Sequence, residues 1–186
     1  MTTLRDRLRA DTAPWHERVD DAYSVLDLRQ TVDLGRFLRS QLSVLLAVRC
    51  GPGRHAEDAE RLRRSMIGAL QADLRHLDLK AVRPATERRL DATAVHYILL
   101  GSRLGTRVLH RRWLGATDAA VAGAGRYLGT TPPTAAWRKF CAELLQMPDQ
   151  GTEADRITHD ACILFDLHLD VLPALAPLRQ GESDAA

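Results

Sequence analysis

Net charge, cysteine and long apolar runs are all scarce in this chain, and each shortage argues against a class of protein. Two lysines stand beside 24 arginines, yet the 24 acidic residues leave a formal charge of only +2. A balance that close to neutral argues against a large nucleic-acid footprint. Cys50, Cys141 and Cys162 are odd in number and widely spaced, which fits a reducing compartment better than a disulfide framework. Apolar residues form 45% of the chain but never run unbroken for the roughly 20 positions that cross a bilayer, so no membrane span is expected. The opening residues MTTLRDRLRADT carry charge where a secretory leader needs a hydrophobic stretch, and a cytoplasmic location is the expectation. No window alternates apolar with polar residues or is dominated by β-branched side chains, so strands are not expected either.

What remains is helical. The length suits one buried core, and the expected architecture is an all-α single domain over 1–178 with a flexible tail over 179–186. A short helix is expected over 4–10, with Pro14 kinking it or opening a second helix that carries Trp15, Val19, Ala22 and Leu26. Further helices are expected over 33–48, ending at Gly51-Pro52-Gly53, and over 55–77. A polar connection over 79–89 leads to Asp91, the candidate N-cap of a helix over 92–112. A short helix over 118–127, one from the Thr130–Pro133 stretch to Met147, and one over 152–172 complete the set. The last is opened by Thr152-Glu153-Ala154-Asp155, which reads as a capping box.

Two segments bear on chemistry. Helical spacing sets His16 with Val19 and Tyr23, so its ring is expected to point inward, as an iron ligand or as a core histidine bonded to a carbonyl. Asp20, one turn on, is placed to orient the imidazole or to lie on the surface. In the 92–112 helix, Ala94, Ile98, Gly101, Gly105 and Val108 share a stripe, with Ser102 beside it. Glycine costs about 1 kcal/mol against alanine inside a helix, so two in one stripe imply close helix packing or a ligand laid on bare backbone.

Taken together, these residues resemble a known family. Arg9, Thr12 and His16 match the basic-x-x-Thr-x-x-x-His pattern of the heme oxygenases, and LGSRLGTRVL over 100–109 matches their kinked distal helix. The resemblance is to the bacterial type, particularly those that accompany bacteriophytochromes, and it covers about 4–172. It implies a helical bundle with heme between a proximal and a distal helix, and His16 as proximal ligand of the heme iron. Gly101, Ser102 and Gly105 are then the distal catalytic face, with Arg9, Thr12 and Arg138 also on the heme. Trp137-Arg138 falls where the family has an aromatic residue and an arginine that reaches a propionate. The implied reaction opens heme to biliverdin, carbon monoxide and iron, with dioxygen and electrons from an external ferredoxin or reductase. A bacteriophytochrome is the implied recipient of biliverdin. The sequence departs from its relatives at Leu100, where an acidic residue is common, and at Thr106, where glycine or alanine is common. Ser102 stands where mammalian members have aspartate, as in bacteriophytochrome-linked ones.

Other chemistries have less behind them. The remaining histidines are scattered without zinc spacing, and the paired Glu-x-x-His of a di-iron bundle is missing. No glycine loop follows a strand to cradle phosphate, and no nucleophile motif is present. Two rival readings share the scaffold: a non-catalytic heme-binding protein, and a bundle that acts through partners without heme. The arginine-rich surface suits an acidic redox partner.

Overall fold

Thr3 and Asp6 start the first helix as a reciprocal capping box, each side chain taking the other residue's backbone N–H. The computed structural model describes residues 2–80, 86–131 and 133–175. From that cap, α1 runs unbroken as Leu4–Ser24, correcting the expected break at Pro14. Pro14 and Ala10 are both exposed, so the carbonyl that lacks a proline N–H to bond lies on the solvent side, where water can satisfy it.

The other helices are α2 (Thr31–Ala47), α3 (Ala56–His76), α4 (Ala92–Trp113), α5 (Ala119–Gly123), α6 (Thr134–Leu144) and α7 (Thr152–Ala174). Asp91 caps α4 as expected, accepting from the Thr93 N–H at 2.8 Å. The capping box expected at Thr152 is absent: Gly151, at φ +100, occupies the cap position and no side chain caps the helix. Helix α5 is shorter than expected because Gly125 and the residues after it turn tightly, with Gly129 N–H bonded to the Gly125 carbonyl at 2.8 Å.

Strands do occur, against expectation. β1 (Val48–Cys50) and β2 (Arg88–Leu90) pair in parallel, with Arg49 opposite Arg89. Three residues are too few to show alternation, and the pairing comes from where α2 ends and α4 begins. Gly51 N–H donates to the Leu90 carbonyl at 2.6 Å, and a Cβ at Gly51 would stand 2.9 Å from that oxygen. Only glycine lets the chains come so close.

Helix α7 is the centre of the bundle, with α1, α2 and α4 packed around it. α3 joins α2 to α4, and α6 lies on α4 and α1. The core is mostly leucine, with Leu4, Leu8, Leu34, Leu38, Leu42 and Leu70 wholly buried. Contact between α1 and α4 is slight: both lean on α7 rather than on each other. Among the described residues, no helix is long and apolar enough to cross a membrane. The tail expected over 179–186 lies outside the described residues, as do positions 81–85 of the connection.

Candidate functional site

The inner stripe of α1 is covered at both ends and open in the middle. Thr12 is 4% exposed and Tyr23 7%, yet the His16 side chain, on the same face between them, is 63% exposed. This corrects the expectation of an inward, enclosed imidazole. The ring is on the expected face, but nothing packs over it at that level. Its Nδ1 lies 3.1 Å from the Asp20 carboxylate, and its ring meets the edge of Phe165 on α7 at 5.9 Å. Its Nε2 has no protein partner among the described residues.

The glycine stripe of α4 has the same pattern. Ala94 and Ile98 are buried, Gly101 is half-buried, and Gly105 and Val108 are exposed. A Cβ on Gly105 would meet nothing within 4 Å, so that stretch of backbone faces open space. Gly101 is less bare than the sequence implied: the Trp137 indole lies where a Cβ would touch it at 3.9 Å. Ser102 donates its hydroxyl hydrogen to the Leu99 carbonyl at 2.9 Å, which leaves its oxygen able to accept from water but not to donate to it.

Tyr97, one turn before Gly101, links the two helices. Its pKa is raised by burial, while the Thr12 hydroxyl beside it and the charges of Arg5 and Arg9 act the other way. Its ring stacks at a tilt on Trp137, 5.5 Å between centres. Arg9, Thr12, Tyr97 and Trp137 therefore form one neighbourhood, with Arg138 next to Trp137 in α6. Thr12 itself is back-bonded to the Leu8 carbonyl at 2.7 Å. Arg9 and Arg138 are exposed and take part in no ion pair among the described residues. Both are available to a carboxylate.

Leu100 and Thr106, the two positions that differ from the heme oxygenase pattern, turn away from this face. Leu100 is 2% exposed and lines a cavity behind α4, and Thr106 is buried with its hydroxyl on the Arg103 carbonyl at 2.7 Å. Neither crowds Gly105.

That cavity, 380 Å³ in volume, includes neither His16 nor the two glycines. His55, His96 and Phe140 form its base, the imidazole centres 5.6 Å apart. Burial pushes the His96 pKa down to about 4, and lowers that of His55 as well. His55 Nε2 and His96 Nδ1 are buried without a hydrogen bond, though Glu143 stands 3.8 Å from the former. Among the described residues, no three metal-ligating side chains are arranged to hold an ion. His16 and Gly105 are thus both uncovered, and the cavity, itself partly open to solvent, lies on the other side of α4.

Sequence reading missed Arg103. Its side chain is 2% exposed, with the guanidinium 4.8 Å above the Tyr127 ring. The signal was an arginine spaced with Leu99 and Thr106 on a stripe opposite the glycines, which reads as core in any other residue type. Asp73 was missed for the same reason: a buried carboxylate whose two oxygens accept from the Arg126 and Tyr127 N–H groups at 2.9 and 2.8 Å.

No protein-family model matches the chain, and no curated protein matches it in sequence.

Proposed function

We propose that this protein is a bacterial-type heme oxygenase, binding heme between α1 and α4 and opening it to biliverdin with release of carbon monoxide and iron. The observation that carries this reading is the uncovered turn at His16, an imidazole with one nitrogen 3.1 Å from the Asp20 carboxylate and the other free. Ligand histidines are commonly oriented in this way. Heme, once bound, supplies the dioxygen chemistry as both cofactor and substrate.

The chain's own residues then have limited tasks. His16 Nε2 holds the iron, and Asp20 keeps the ring in the tautomer that leaves Nε2 unprotonated. Gly105 leaves the distal side open, and the Ser102 oxygen accepts a hydrogen bond from water there. Arg9 and Arg138 pair with the propionates and so fix how the ring is turned in its plane. Electrons come from an external ferredoxin or reductase, docked on the arginine-rich surface. A bacteriophytochrome is the proposed recipient of the product, and the setting is cytoplasmic, without nucleic acid or membrane.

A second reading, a non-catalytic heme binder, is favoured by the Trp137 indole against Gly101 and by the serine that cannot donate. One experiment separates the two. Hemin titrated into the protein should give a Soret band, and added ascorbate should convert it to biliverdin absorbance. A stable ferrous spectrum would select the binder, and no Soret band would leave a bundle without heme.

A further inference from the structure

The least expected group in the core is a charged one on the helix that carries the glycines. Arg103 lies between Gly101 and Gly105 in sequence but on the opposite side of α4. Its guanidinium stacks on Tyr127 at 4.8 Å and donates to the Thr130 carbonyl at 3.2 Å, while Nη1 is buried with no partner. A buried arginine with an unfilled donor is a poor device for stability, because an apolar side chain of similar length avoids the desolvation cost. Its planar fork is a good device for fixing one geometry.

What it grips is itself held from three sides. Asp73 on α3 takes the N–H groups of Arg126 and Tyr127. The Tyr127 hydroxyl donates to Gln41 on α2 at 3.4 Å. Trp113, at the end of α4, donates from its indole N–H to the Val121 carbonyl at 2.9 Å. Within the segment, the Thr130 hydroxyl donates to the Arg126 carbonyl at 2.8 Å. This block ends just before α6, the helix of Trp137 and Arg138. Arg103 therefore joins the glycine stretch of α4 to the segment over 126–130, which precedes α6 in the chain.

We propose that Arg103 is a positioning residue that sets the spacing between the Gly101–Gly105 backbone and Arg138, and through it the in-plane orientation of the bound macrocycle. The orientation part rests on the heme reading above, and the mechanical part does not. Three features set the expected result: the stacking needs a flat cation, the grip is local, and the charge adds little to global stability.

Amide hydrogen exchange on the heme-free protein tests this. Arg103→Met should leave the melting temperature unchanged or higher, while exchange at 101–106 rises about tenfold and elsewhere stays as in the wild type. Arg103→Lys should resemble Arg103→Met, since it keeps the charge but loses the fork. Tyr127→Phe, which keeps the ring beneath the guanidinium, should exchange like the wild type at 101–106. If Arg103→Met does not fold, Tyr127→Leu, which removes the platform, should give the same local rise. With hemin added, the heme methyl NMR signals should split into two sets in Arg103→Met and remain one set in Tyr127→Phe. Unchanged exchange at 101–106 in the arginine variants, or faster exchange along the whole chain with a lower melting temperature, would overturn the proposal. Failure of the wild type to take up hemin would sink the heme reading instead, and exchange would still decide the role of Arg103.

Discussion

His16 and Asp20 sit one helical turn apart on α1, with imidazole Nδ1 and carboxylate oxygen separated by 3.1 Å. Both side chains are mostly exposed, and an exposed pair of this kind contributes little to folding. In the heme reading its task is to orient the ring.

Asp20→Ala is therefore expected to leave thermal stability unchanged and to weaken hemin binding roughly tenfold or more, the usual effect of removing a partner behind a ligand histidine. His16→Ala should fold equally well and lose the ligand-field bands of an imidazole-bound iron. Absorbance titrations of the three proteins, with melting curves alongside, are the check. Wild-type spectra in His16→Ala would place the iron ligand elsewhere.

Gly105 offers a test in which stability and binding separate. With open space around the missing Cβ, Gly105→Ala should raise stability by about 0.5–1 kcal/mol, since only the conformational entropy of the unfolded chain changes. Gly105→Leu should also fold but cover the bare backbone there and abolish hemin uptake. Urea unfolding and a Soret titration on each variant give the two readouts; undiminished binding in Gly105→Leu would mean that hemin does not lie against this backbone.

The buried histidines predict how stability depends on acid. In the unfolded chain each takes up a proton near pH 6.5, whereas burial delays protonation of His96 in the fold to about pH 4 and lowers the pKa of His55 and His168 too. The unfolded state thus binds more protons, and stability falls as pH drops from 6.5 toward 4, by up to about 1.4 kcal/mol per pH unit for His96, with His55 and His168 acting in the same direction. Urea midpoints at a series of pH values should show this, and His96→Phe should flatten the slope. An identical slope in that variant would assign the acid sensitivity to other groups.

Gly125→Ala should be among the most damaging single-methyl changes in the chain. The added Cβ would lie 2.3 Å from the Trp113 indole, which its bond to Val121 prevents from moving aside. An overpacking loss on the order of 1–3 kcal/mol is expected, measured by chemical unfolding. Gly68→Ala, with nothing near its Cβ, is the matched control and should be neutral or stabilising.

Most of the helices could be read from the sequence, because they depend on local pattern. Asp91 before α4, the Gly101–Gly105 spacing and the face of α1 shared by His16, Val19 and Tyr23 follow from helical period and capping chemistry, whereas Thr12 is picked out only by the family resemblance. What could not be read depends on neighbours distant in the chain. Pro14 is tolerated only because that side of α1 is wet, and β1 meets β2 only because α2 and α4 place them side by side. The exposure of His16 has the same origin: periodicity gives the face on which a side chain lies, and only the tertiary arrangement decides whether anything covers that face. Arg103 was hidden for a further reason, since a sequence carries no sign that a cation has been given an aromatic platform.

The packing of α1 on α7 also governs the order of events during synthesis. Trp15 donates its indole N–H to Asp166 at 2.9 Å, and Arg7 reaches Asp155, so α1 finds its main support in α7, a helix made after α2 to α6. While the ribosome is still adding the intervening residues, the segment holding His16 has no wall behind it. Long-range closure of this kind comes late. A nascent chain halted before α7 emerges should therefore lack any hemin pocket, however complete its other helices are.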